Sequence, residues 1–89
     1  MREILYHRHA ARYLKRMPAD RKQQVKAAVA DVAALADVLT QPNVRPMKGD
    51  WAGCFRLRVG RYRAIFRLTA AETGELLEVL IVGPRGDVY

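Results

Sequence analysis

From Cys54 onward the chain alternates with a period of two. Phe55, Leu57 and Val59 alternate with Arg56 and Arg58. After Gly60, the residues Tyr62, Ala64, Phe66 and Leu68 alternate with Arg61, Arg63, Ile65 and Arg67. This is the pattern of two half-buried strands joined as a hairpin at Gly60. Ala70 to Gly74 predicts a second turn. Leu76 to Val82 is apolar on both faces except for Glu78, which predicts a strand interior to the sheet.

The first half of the chain has a different period. Glu3 to His7 alternates loosely and predicts a short first strand. Ala11, Leu14 and Met17 recur at three-residue spacing, beside Tyr13, and predict a helix over 8–17 that Pro18 breaks. The same proline can open the next helix, where its missing N–H does no harm, and Asp20 suits the positive end of the helix dipole. Val25, Val29, Val32, then Leu35 or Ala36, and Leu39 recur at steps of three and four, which predicts a helix running to just before Gln41-Pro42. Residues 40–53 contain Pro42, Pro46, Gly49 and Gly53 and read as a loop, with Trp51 as a packing residue. The expected fold is α+β in the order β-α-α-β-β-β: an antiparallel-rich twisted sheet with two helices on one face.

Composition narrows the function. The 89 residues suit a single domain spanning 1–89, with one modest core. With 51% apolar residues the chain is a folding sequence rather than a basic tail. Cys54 is the only cysteine, and no Cys/His cluster has metal-ligand spacing, so neither an internal disulfide nor a metal or other cofactor is expected. The charged N-terminus and the shortness of the longest apolar run, 32–36, predict a cytoplasmic protein with no membrane partner.

The net charge of +7 is concentrated in one segment. Residues 45–67 hold seven basic residues (Arg45, Lys48, Arg56, Arg58, Arg61, Arg63, Arg67) and one acidic, Asp50, whereas residues 68–89 are net acidic. Two registers of the hairpin are open. If Val59-Gly60 is the turn, Arg58 faces Arg61 and Arg56 faces Arg63, so four arginines share a face. If the turn is Gly60-Arg61, then Arg56, Arg58 and Arg63 still share one. Like charges placed opposite one another destabilise a hairpin, and no acid lies between Cys54 and Thr69 to relieve them. The arrangement makes sense around an anion, and arginine suits phosphate because its planar fork makes paired hydrogen bonds and stays charged.

RNA can be cut without a metal when its 2′-OH attacks the adjacent phosphorus. Fixed positive groups then stabilise charge growing on the phosphoryl oxygens, and a proton must leave the 2′-OH while another reaches the departing 5′-oxygen. The arginines meet the first need. Arg85 and Tyr89, at the exit of the last strand, would reach the same face if that strand neighbours the hairpin. His7 and His9 read as surface residues at a strand-to-helix corner.

The chain resembles the RelE/ParE superfamily of bacterial toxins of type II toxin–antitoxin systems, and most closely its RelE branch. The resemblance is carried by Leu14-Lys15-Arg16-Met17-Pro18, by Met47-Lys48-Gly49, by the hairpin from Cys54 to Phe66, and by Val82-Gly83-Pro84-Arg85-Gly86-Asp87-Val88-Tyr89. It implies a RelE-like microbial RNase fold and a ribosome-dependent mRNA endonuclease that cuts message in the ribosomal A site. A cognate antitoxin protein would hold it inactive, and the toxin–antitoxin complex is expected to bind operator DNA. The residues that carry activity in RelE-like toxins correspond here to Arg56, Arg58, Arg63, Arg85 and Tyr89, with Arg45, Lys48, Arg61 and Arg67 as further phosphate contacts. Arginine, a poor proton acceptor, occupies the general-base position as Arg58. Pro84 stands where many relatives have a basic residue or histidine. The alternative of the same fold is a ParE-like inhibitor of DNA gyrase with no nuclease chemistry.

Overall fold

The computed structural model describes residues 1–72 and 74–84. Strand β1 (Glu3–Tyr6) leads into helix α1 (Arg8–Arg16), which buries Ala10 and Leu14 and closes at the buried Met17. Pro18 is the N-cap of helix α2 (Ala19–Ala33), and its carbonyl accepts the Lys22 N–H at 2.9 Å. Val25, Val29, Val32 and Ala33 form the buried stripe of α2. No helix of the described residues is long and apolar enough to cross a membrane.

Helix α2 ends six residues before the predicted limit near Leu39. A guanidinium from the N-terminal segment caps it there. Arg2 donates to the carbonyls of Ala33 (3.4 Å), Leu35 and Ala36 (3.1 Å), and its Nε bonds Glu75 at 2.7 Å. Carbonyls at a helix end need such donors. The chain then turns, and a 3-10 turn at Val38–Thr40 begins where the Asp37 carboxylate accepts the Leu39 N–H at 3.0 Å. This change of phase buries Val38 and leaves Leu39 50% exposed.

Among the described residues the sheet has five strands, in the order β1-β5-β4-β3-β2. Strand β2 (Val44–Pro46) lies inside the predicted loop and pairs antiparallel with β3 (Phe55–Val59). A proline is tolerated there because β2 is an edge strand. Strands β4 (Tyr62–Ala71) and β5 (Gly74–Pro84) continue the antiparallel ladder, and β1 adds parallel to β5. The predicted interior strand is thus interior, between β1 and β4. Both helices pack on one face, α1 against β5 and α2 against β3 and β1. Leu57, Ala64, Phe66, Leu77, Val79 and Val82 meet Leu14, Val25, Val29 and Val32 in the core. Phe55 stacks on Phe66 with centroids 5.2 Å apart.

The hairpin adopts the second of the two open registers. Val59 pairs with Tyr62 and Arg58 with Arg63, so Gly60-Arg61 is the turn. Gly60 has φ +58°, and no non-glycine residue of the described chain has a positive φ. A left-handed residue first and an ordinary one second is the pattern of a type II′ turn, which asks for glycine at its first position. A Val59-Gly60 turn would have placed a β-branched residue there. Arg61 is consequently a turn residue, and the pairings of the first register, Arg58 with Arg61 and Arg56 with Arg63, do not occur.

Candidate phosphate-binding face

Because Val44, Leu57, Ala64 and Phe66 point into the core, their neighbours in sequence point away from the helices. Arg45 on β2, Arg56 and Arg58 on β3 and Arg63 on β4 therefore share the open face. The register sets them against one another: Arg45 lies opposite Arg56, and Arg58 opposite Arg63. The remaining cross-strand partners here are Ile65 beside Arg56, Ile81 beside Ile65, and Gly83 beside Arg63. None of these positions carries an acid. Arg45 and Arg58 are exposed, whereas Arg56 and Arg63 are half-buried. The Arg45 guanidinium donates to the Pro42 carbonyl at 3.2 Å, which leans it along the edge of the sheet.

Two further predicted contacts lie apart from this group. Arg61 is exposed in the turn at one end of the face. Lys48 is exposed ahead of the 3-10 turn Gly49–Trp51, in a loop closed by the Met47 N–H donating to the Cys54 carbonyl at 3.0 Å. Arg85 and Tyr89 lie outside the described residues.

Arg67 continues the β4 row but in a different environment. It stands opposite Glu78, and its Nε donates to Glu78 Oε2 at 2.9 Å while Nη2 donates to Oε1 at 3.4 Å. Thr69 donates its hydroxyl to Oε2 at 3.0 Å, and His7 Nε2 lies 2.8 Å from Oε1. Glu78 is 8% exposed. Its hydrogen bonds from Arg67 and His7 outweigh burial and hold its carboxyl at about 2, below the usual 4.5. The same contact raises the Arg67 guanidinium further above its ordinary range.

Among the described residues the open face therefore has two zones, a cationic one at the hairpin end and a neutralised one around Glu78. Sequence reasoning missed the second. His7 does sit at the strand-to-helix corner, as expected, with its carbonyl accepting the Ala11 N–H at 2.8 Å. Its ring, however, is engaged with Glu78 on the sheet. The available signal was Glu78 itself, the one charge in an otherwise apolar strand.

Chemically, the cationic zone presents planar donors that stay charged at every physiological pH and can make paired bonds to phosphoryl oxygens. Among the described residues no group of three His, Cys, Asp or Glu could hold a metal ion.

The sequence model of the ParE toxin of the type II toxin–antitoxin system parDE matches residues 4–89. The chain belongs to this toxin family. It is thus the toxin of a type II toxin–antitoxin system. The fold agrees with solved structures of RelE/ParE toxins at low sequence identity. The archaeal RelE–RelB complex from Pyrococcus horikoshii is similar with a TM-score of 0.71 at 20% identity, over 98% of each chain. The YoeB/ParE toxin from Agrobacterium tumefaciens gives 0.69 at 16% identity, over 93% of this chain and 98% of that one. The RelBE2 complex from Mycobacterium tuberculosis gives 0.61 at 24% identity, over 94% and 98%. No curated protein sequence matches this ParE-family toxin significantly. Several of the similar structures are complexes of toxin with antitoxin.

Proposed function

We propose that this toxin is a ribosome-dependent mRNA endonuclease of the cytoplasm, cutting message by attack of the 2′-OH on the adjacent phosphate. The observation that carries the reading is the cross-strand pair of Arg58 and Arg63, flanked by Arg56 and Arg45, at the hairpin end of the sheet face, where none of the cross-strand partners is acidic. A phosphate placed between these guanidinium groups would accept paired, charge-assisted hydrogen bonds from them. In this mechanism the 2′-oxygen bonds to phosphorus as the bond to the 5′-oxygen breaks. The products are a 2′,3′-cyclic phosphate and a 5′-hydroxyl. Arg58 and Arg63 stabilise the charge that grows on the phosphoryl oxygens. Arg56 and Arg45 hold the flanking backbone. By the resemblance, Arg85 would add to this charge stabilisation, and Tyr89 would orient the nucleophile, stack on a base or shuttle a proton. The antitoxin silences the toxin by covering this face or by preventing entry into the ribosome.

A second reading, inhibition of DNA gyrase by binding, is favoured by a different observation. Arg58 occupies the general-base position, and a guanidinium does not accept a proton at neutral pH. One experiment separates the two. The toxin is added to a translating extract, message 5′ ends are mapped, and gyrase supercoiling is assayed with the same preparation. Cuts within codons that disappear in Arg63→Gln support the nuclease. Intact message with inhibited supercoiling establishes the gyrase reading in its place.

A further inference from the structure

Helix α1 carries a cationic row unrelated to the sheet. Arg8, Arg12 and Arg16 follow one another at four-residue steps, about 6 Å apart along the axis, so they stand on one flank of the helix. All three are exposed. The helix holds no acidic residue in its first turn, and Arg8 stands at the end where the dipole disfavours a cation. Like charges at this spacing also weaken a helix. Among the described residues, none of the three takes part in an ion pair. With His9 and Tyr13 they line a groove of about 300 Å³.

The position of this flank connects it to the arginine face. Tyr13 lies edge-on to Tyr62 with ring centroids 6.3 Å apart. Tyr62 is the first residue of β4, directly after Arg61 in the turn and directly before Arg63 on the open face. Helix α1 therefore contacts the sheet at its hairpin end, where Arg61 occupies the turn beside Tyr62. The turn position, which removes Arg61 from the sheet face, puts it near this contact.

We infer that the Arg8–Arg12–Arg16 flank of α1 is a second backbone-binding surface for RNA, continuous with the arginine face around the hairpin turn at Arg61. The occupant is an RNA strand longer than the segment held at the face. The four-residue spacing is comparable to that of successive phosphates, and the charge is of one sign along the whole path. The inference rests on the reading that the arginine face binds an RNA backbone. An acidic protein segment would be the rival occupant.

The test is equilibrium binding of the purified full chain to two single-stranded RNAs, of about 4 and about 16 nucleotides, at several salt concentrations. Each lost phosphate contact lowers the slope of log K against log salt by about 0.7 for a single strand. The variant Arg8→Gln/Arg12→Gln/Arg16→Gln is expected to lower the slope for the long RNA by about 2 and to leave the short RNA unchanged. Replacing the same three residues with lysine is expected to keep the slope, which separates lost charge from a lost helix. An unchanged slope for the long RNA in the glutamine variant overturns the inference. So does a loss of antitoxin affinity with RNA binding intact, which makes the flank a protein-docking surface. Arg56→Gln/Arg58→Gln serves as the comparison. If it changes binding of neither RNA, the reading of the arginine face fails, and that result is distinct from failure at α1.

Discussion

Replacing Glu78 with glutamine should destabilise the protein at neutral pH and remove an acid-sensitive part of its stability. The carboxylate accepts from Arg67, His7 and Thr69, and the hydrogen bonds from Arg67 and His7 are the main cause of its fall from 4.5 to about 2. At about 1.4 kcal/mol per pKa unit this corresponds to a ceiling of roughly 3 kcal/mol. The Arg67 side chain is 46% exposed, so solvent screening lowers the working figure to about 2 kcal/mol. Glutamine fills the same space but turns an NH2 group toward donors, leaving at least one of them unmatched. The depressed folded-state pKa fixes the sign. The stabilisation is complete above about pH 4.5 and is lost as pH falls from there toward about 2. Urea denaturation followed by Trp51 fluorescence, at neutral pH and at steps through that window, measures it. The variant should be about 2 kcal/mol less stable than the parent at neutral pH, with the gap narrowing as pH falls. A gap that stays constant down to the lowest pH, or no gap at neutrality, would refute the role given to this carboxylate.

The Arg58→Gln variant should lose message cleavage by two orders of magnitude or about that, as for removal of a transition-state donor, while thermal stability holds or rises by a few tenths of a kcal/mol because the charge opposite Arg63 is gone. A parallel fall in stability and activity would make Arg58 a structural residue. For Gly60→Ala, calorimetry should show a loss of about 1–2 kcal/mol, since φ is +58° and nothing lies within 4 Å of an added Cβ. An unchanged melting temperature would contradict the turn assigned here. Truncation of Phe66, 1% exposed and stacked on Phe55, to alanine should cost about 3–5 kcal/mol in chemical denaturation. A loss below about 1 kcal/mol would mean that this ring is not a core member.

What the sequence made legible depended on the range of the interactions involved. The hairpin could be read because each of its strands carries its own period of two, and the Pro18 boundary because proline acts on its immediate neighbours. The end of α2 could not. Its carbonyls are capped by Arg2, more than thirty positions away, and helical spacing continues past Ala33 as though no cap existed. Strand β2 was hidden for another reason. Three residues ending in proline show no period, and only the β3 edge makes them a strand.

The candidate site divides in the same way. Arg56, Arg58 and Arg63 share a face in either register, so alternation alone was sufficient for them. The choice between registers turned on one backbone angle at Gly60, which sent Arg61 to the turn. The contact of His7 with Glu78 joins residues 71 positions apart and arises because β1 pairs parallel to β5. No local pattern reports such a pairing.

The central claim is that paired arginines on an open sheet face promote attack of a 2′-OH on a phosphate of messenger RNA. Its most direct test is the chemistry of the cut ends on ribosome-bound message treated with purified toxin. The expected result is a 5′-hydroxyl downstream and a 2′,3′-cyclic phosphate upstream, formed by the parent protein and not by Arg63→Gln. Message left whole by the parent protein, or cut ends carrying a 5′-phosphate, would contradict it.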